Sequence, residues 1–93
     1  MSEERELRAK IQKGDHAERI LNDPAVSGAL ERMRQAIYHN IATSHPKSVE
    51  EREDLYKMLR LHAEFIKQLQ DEINGKKKAE SRLEQLLNKL KGK

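Results

Sequence analysis

The chain has 93 residues, of which 38% are charged and 3% aromatic, and it contains no cysteine. A chain of this length supports one domain, and so few aromatic side chains provide little bulky material for a globular core. The lack of cysteine excludes disulfides, thiolate catalysis and cysteine-based zinc sites. No stretch approaches the roughly 20 apolar residues that a membrane span needs, and no apolar signal segment follows Met1, so we expect a cytoplasmic protein with no membrane partner.

The first predicted helix covers about residues 3–21. Ala, Leu, Glu, Lys, Gln and Arg dominate the composition, and the apolar residues recur at helical spacing, which predicts an all-α fold. Gly14 interrupts this first helix and costs about 1 kcal/mol relative to Ala, so a kink there is an open alternative. Asp15 and Glu18 have the spacing of a capping box that would restart a helix after such a break.

A second helix is predicted to begin at Pro24. Asp23 is a good N-cap acceptor, and Pro is favoured at the first helical position because its missing N–H is not needed there. Apolar residues then recur at spacings of three and four as far as Ile41, which indicates one packed face. The polar stretch that follows contains His45 and Pro46 and predicts a turn.

The longest helix is predicted over about residues 49–73. Ser48 and Glu51 have capping-box spacing, and four acidic residues in the first turns complement the helix dipole. Asn74 and Gly75 then read as a C-cap, because Gly readily adopts the left-handed conformation that closes many helices. The fold prediction is therefore a helical hairpin or small bundle of three to four helices with a separate basic helix at its C-terminus.

The last segment, residues 76–93, is predicted to be a docking element attached to a hairpin domain of residues 1–75. Residues 74–93 carry seven basic and two acidic side chains. An isolated helix of this length is marginal in water, so either it folds back onto the long helix or another chain orders it.

Two sets of side chains in this segment are candidates for binding. The first set forms two heptads of an apolar seam suited to a protein partner: Leu83, Leu86, Leu87 and Leu90. The second set suits an acidic protein surface or nucleic-acid phosphates: Lys76, Lys77, Lys78, Arg82 and Lys89. The segment has no aromatic residue on which bases could stack, and charge alone does not choose between these partners.

No constellation in the sequence suggests an enzyme. The four histidines form no i, i+4 pair and no HExxH motif, and each glycine stands alone, so we expect no metal, no cofactor and no phosphate-binding loop. The acidic residues that follow Ser48 are explained by the helix dipole. His62 interrupts an apolar stripe and is interpreted as a partly packed boundary histidine, with a pH-sensing role as the alternative.

The sequence resembles a group of small helical proteins of tailed bacteriophages and prophages that are encoded near head-morphogenesis and packaging genes. The resemblance lies in Arg8-Ala9, Ala17, Ile20-Leu21-Asn22-Asp23-Pro24, Glu51-Arg52-Glu53-Asp54-Leu55-Tyr56, Gly75-Lys76, Ala79-Glu80 and Leu83-Glu84. It implies no activity for any residue. It implies a setting in virion morphogenesis, in the host cytoplasm or associated with the virion.

The resemblance and the residue patterns together lead to one expected function and one alternative. The expected function is that of a homo-oligomeric accessory protein that is capsid-associated, scaffold-like or connector-like. Its partner would be itself or a phage structural protein. The alternative is a nucleic-acid-binding packaging or regulatory factor that acts through the basic C-terminal segment.

Overall fold

The computed structural model describes residues 2–92, which form three α-helices: α1 (Glu3–Asn22), α2 (Pro24–Thr43) and α3 (Val49–Lys91). The predicted all-α class is confirmed. Helices α1 and α2 follow each other end to end and both run antiparallel to α3. Glu3 thus lies beside Arg82 near one end, and Arg52 reaches the carbonyl oxygen of His45 at the other. The result is a helical hairpin with dimensions of 71 × 24 × 19 Å.

Helix α1 runs without a break through Gly14. The hydroxyl of Ser2 caps it by accepting a hydrogen bond from the backbone N–H of Arg5, at 3.1 Å. The capping box predicted at Asp15 and Glu18 is wrong. Both carboxylates instead lie within 2.7 Å of the Nζ atom of Lys76 on α3, so their spacing serves an ion pair between helices.

The predicted start of α2 is confirmed. Asp23 has an extended conformation, and its Oδ1 accepts a hydrogen bond from the backbone N–H of Ala25 at 2.8 Å, with Pro24 in the first turn. The predicted turn after α2 is also present. There, the guanidinium group of Arg52 donates hydrogen bonds to the carbonyl oxygens of His45 and Pro46, at 2.6 and 2.9 Å.

Helix α3 differs from the prediction at both of its termini. Ser48 stands at the N-cap position, but its side chain makes no capping hydrogen bond, so the predicted capping box is wrong in that detail. The predicted end at residue 73 is also wrong, because α3 continues through Asn74 and Gly75 and spans 43 residues. At 1.5 Å per residue its length is about 64 Å.

The continuation of α3 has a physical reason. No glycine of the described chain has a positive φ, so Gly75 does not adopt the left-handed conformation of a C-cap. A glycine inside a helix costs only about 1 kcal/mol, whereas the next turns place Lys76 and Ala79 against α1. The predicted boundary between residues 1–75 and 76–93 therefore falls inside one helix. The terminal residues Met1 and Lys93 lie outside the described residues.

The interior of the hairpin is thin. Over residues 2–92 the buried apolar side chains are Leu7, Ala17, Ile37, Leu55 and Ala79. Two of these residues, Ala17 on α1 and Ala79 on α3, are small, and Gly14 of α1 is also buried. A Cβ atom at Gly14 would collide with α3, so the two backbones approach closely there. None of the three helices has, over the described residues, the length and apolar content that crossing a bilayer requires.

Gly14 and Gly75 offer a test of this close approach. A Cβ atom at Gly14 would collide with the Cβ of Lys76 and lie 2.9 Å from the carbonyl oxygen of Glu72, whereas a Cβ at Gly75 would meet nothing within 4 Å. We expect Gly14→Ala to lower the free energy of unfolding by about 1–3 kcal/mol through overpacking. Gly75→Ala should instead raise it by up to about 1 kcal/mol through helix propensity. Urea denaturation measures both, and equal effects of the two changes would contradict the described crossing.

Candidate interaction surface

The basic residues predicted to bind a partner fall into two groups in the structure. Lys77, Lys78 and Lys89 are exposed. Lys76 and Arg82 are engaged with acidic side chains of α1. The five residues therefore do not act as one free cluster, and the charge available to phosphates or to an acidic surface is smaller than the sequence suggests.

Lys76 is the more deeply placed of the two engaged cations. Its side chain is 17% exposed, and its Nζ atom lies 2.7 Å from both the Asp15 and the Glu18 carboxylates. Hydrogen bonds to Asp15 and then to Glu18 raise the pKa of Lys76 above its usual value. A lysine can lie between two helices here because its ion pairs with two carboxylates offset the loss of hydration of its ammonium group.

Arg82 forms a second contact between α1 and α3. Its Nε donates to one carboxylate oxygen of Glu3 at 2.8 Å, and its Nη2 donates to the other at 3.3 Å. The hydrogen bond to Arg82 lowers the pKa of Glu3 below its usual value. Because both side chains are nearly half exposed, we expect this pair to align the helix ends and to contribute little stability.

The leucines of the predicted C-terminal seam lie near the free end of α3. Leu83 and Leu86 are half-buried, while Leu87 and Leu90 are exposed, Leu90 to 75%. The seam is thus partly used inside the hairpin and partly open to solvent. Its role in binding a partner stays a prediction.

A larger apolar surface lies at the other end of the rod, between α2 and the first half of α3. We call it the α2–α3 stripe. A groove of about 290 Å³ runs along it, and the lining residues are Leu30, Met33, Ile37, Met58, Leu61, His62 and Phe65. Met33, Met58 and Phe65 are each at least half exposed, and Leu61 is 70% exposed. Apolar side chains of this size, contiguous and open to water, mark interaction sites more often than isolated ones do.

His62 connects the two walls of this groove. It is buried, and its Nε2 atom lies 2.7 Å from the carbonyl oxygen of Leu30 on α2, so Nε2 carries the proton and donates. The hydrogen bond satisfies a polar group that would otherwise be costly between apolar neighbours. His62 is therefore more deeply buried than the boundary position expected for it.

Sequence reasoning did not single out the α2–α3 stripe as a site. The signal was nevertheless present, because Leu61 and Phe65 widen the apolar face of α3 beyond what one partner helix can cover. Met33 and Ile37 add a matching face on α2. This apolar face is exposed because α1 and α2 lie end to end, so that each part of α3 has one helical neighbour instead of two.

Metal ligands and one further groove were sought among the described residues. Residues 2–92 contain no group of three or more His, Asp or Glu side chains arranged to hold a metal ion. An open polar groove lies where α1 meets α2, lined by residues that include Asp15, Glu18 and Arg19. The two carboxylates are already bound to Lys76.

Comparison of the chain with protein-family models, with curated protein sequences and with solved structures finds no match.

Proposed function

We propose that this chain is a non-enzymatic helical interaction protein and that the α2–α3 stripe is its principal binding surface. The observation that carries the proposal is the exposure of Leu61 at 70%, beside the half-exposed Met33 and Phe65, along a groove between two helices. Burying one such side chain stabilises a complex by roughly 1.5–3 kcal/mol. A row of them gives a partner most of its binding energy.

The setting we propose is the assembly of a phage virion. It is supported by the resemblance to small proteins of tailed phages and prophages that extends from Arg8 to Glu84. A rigid rod of about 70 Å with an apolar face suits a capsid-associated, scaffold-like or connector-like accessory. Such a protein contributes shape and contacts, not chemistry.

The nucleic-acid alternative receives less support from the geometry. Two of the five basic residues on which it depends, Lys76 and Arg82, bind carboxylates of α1. Phosphate binding scales with the number of free cations and weakens steeply with salt. A protein interface on the α2–α3 stripe would show little salt dependence, because apolar burial is not screened.

Photo-crosslinking tests the proposed surface without assuming the partner. A photoreactive amino acid at position 61 is expected to give protein crosslinks in the cells that naturally produce the chain. The matched control is position 80, because Glu80 is exposed on the same helix and lies outside the stripe. Crosslinks to protein that are no more abundant at position 61 than at position 80 would contradict the proposal.

A further inference from the structure

We propose that the occupant of the α2–α3 stripe is a second copy of this chain, related by a two-fold axis near Leu61, so that two hairpins form a four-helix bundle. This inference rests on the proposed function, because it names the partner of the same surface. The area exposed by the chain, the shape of the stripe and the charges at its edge support it independently.

The chain exposes more surface than its mass predicts for a compact monomer. The chain exposes 7330 Å², whereas a folded monomer of 10.8 kDa is expected to expose about 5,500 Å². The excess is roughly 1,800 Å², which falls within the 1,000–2,500 Å² or so per chain that obligate homodimers bury. This excess belongs to the elongated rod as a whole, and its size matches the area that one stable dimer interface buries.

The shape of the α2–α3 stripe suits a contact between two identical copies. Met58, Leu61 and Phe65 are three and four residues apart, so they form a ridge on one face of α3. The groove lies directly beside this ridge, with Ile37 and His62 among its lining residues. A two-fold interface must be complementary to itself. A surface with a ridge and a groove side by side meets that requirement, because each ridge can enter the groove of the other copy.

Side chains of opposite charge lie along one edge of the α2–α3 stripe. Helical spacing places Lys57 and Glu64 along the outer edge of the ridge, the first before Leu61 and the second after it. When two copies of α3 run antiparallel across an axis near Leu61, Lys57 of one copy comes opposite Glu64 of the other. Among residues 2–92, Lys57 pairs with Asp54 at 4.0 Å and Glu64 accepts a hydrogen bond from Gln68 at 2.6 Å, and both partners lie on the same helix. Such exposed contacts are weak and exchange readily.

No other described segment can take the place of the second copy. Outside the short turn at residues 44–48, residues 3–91 are helical except for Asp23. The turn itself is held by Arg52. The proposed axis also fixes the overall form. The α2–α3 halves of both copies overlap as far as residue 73 of α3, which lies opposite Val49 of the other copy. Beyond this overlap α3 extends with α1 as an arm of about 27 Å on each side, counted from residue 73 to Lys91.

Sedimentation equilibrium tests the inference on the full chain. We expect a mass about twice 10.8 kDa for the unchanged protein. Leu61→Asp should raise the dissociation constant on the order of 100-fold or more, because it places a charge at the centre of the interface. The matched control is Leu90→Asp, which changes an equally exposed leucine of the same helix that lies on the arm. It should leave the dissociation constant unchanged.

Met33→Asp is a second variant on the other wall of the groove, for use if Leu61→Asp loses its helical circular dichroism. It too should dissociate the dimer. A monomeric chain at about 100 µM, or a dimer dissociated by Leu90→Asp and not by changes in the stripe, would overturn the inference. If the chain is monomeric while position 61 crosslinks to a different protein in cells, the second copy is excluded and the proposed function stands. If position 61 gives no crosslinks above the control, the proposed function fails as well.

Discussion

We expect the N-terminal half of α1 to unfold in a chain that is truncated after residue 74. Leu7 is buried and lines one groove with Gly75, Ala79 and Arg82 of α3, and Ala79 is itself 2% exposed. Without these partners Leu7 returns to water, and the free half-helix is too short to persist alone. Amide exchange of residues 3–14 should accelerate at least about 100-fold, which corresponds to a loss of roughly 3 kcal/mol in local opening free energy.

A chain that ends at residue 88 is the control for this truncation. It removes exposed residues, including Lys89 and Leu90, and leaves every contact of α1 described above in place. Its exchange pattern in α1 should match that of the full chain. If α1 remained equally protected in the chain that ends at residue 74, the segment after Gly75 would be a separable docking element, as the sequence alone predicted.

The second large effect is expected from Ile37→Asp. Ile37 is the only residue of α2 that is fully buried, at 5% exposure, and it holds α2 against α3. The substitution replaces a buried apolar side chain with a carboxylate, so we expect a loss of about 3 kcal/mol or more in the free energy of unfolding. Urea denaturation gives the total, and amide exchange should locate the loss in α2.

Tyr38→Asp is the matched control for Ile37→Asp. Tyr38 is the next residue, about 100° further around α2. It is half exposed, and the Cζ atom of Arg34 lies 5.7 Å from the centroid of its ring. This change should cost no more than about 1 kcal/mol. Equal destabilisation by the two substitutions would mean that α2 does not pack on α3 through Ile37.

Much of the fold could be predicted from local chemistry. Asp23 and Pro24 define a helix start through an N-cap and a fixed φ, and both requirements are local, so the structure agrees with the prediction. His45 and Pro46 likewise define the turn. The all-α class follows from propensity and from the period of the apolar residues.

The errors arose where tertiary contacts outweigh local preference. Gly75 resembles a C-cap by itself, but its cost inside a helix is small compared with the packing of Ala79 and the ion pair of Lys76 on α1. Gly14 resembles a helix break, yet it is the position where α3 comes too close for a side chain. The spacing of Asp15 and Glu18 fits a capping box and an ion pair equally well, and only the opposite helix decides between them.

The candidate surface was less predictable than the fold. Exposure of Leu61 and Phe65 depends on how many helices surround α3, and that number is fixed by the end-to-end arrangement of α1 and α2. Periodicity reports that a face is apolar but does not report whether the chain itself covers it. The C-terminal leucines, which sequence reasoning preferred, are divided between the hairpin and solvent.

Thiol crosslinking of single-cysteine variants tests whether the α2–α3 stripe joins two copies across an axis near Leu61. The natural chain has no cysteine, so each variant carries one thiol at a chosen place. With a short bifunctional thiol reagent, Leu61→Cys should be converted rapidly to a covalent dimer. Leu90→Cys, on the arm, should react at most at the rate of random collision. Equal crosslinking rates at the two positions, or faster crosslinking at position 90, would contradict a dimer that is joined at the α2–α3 stripe.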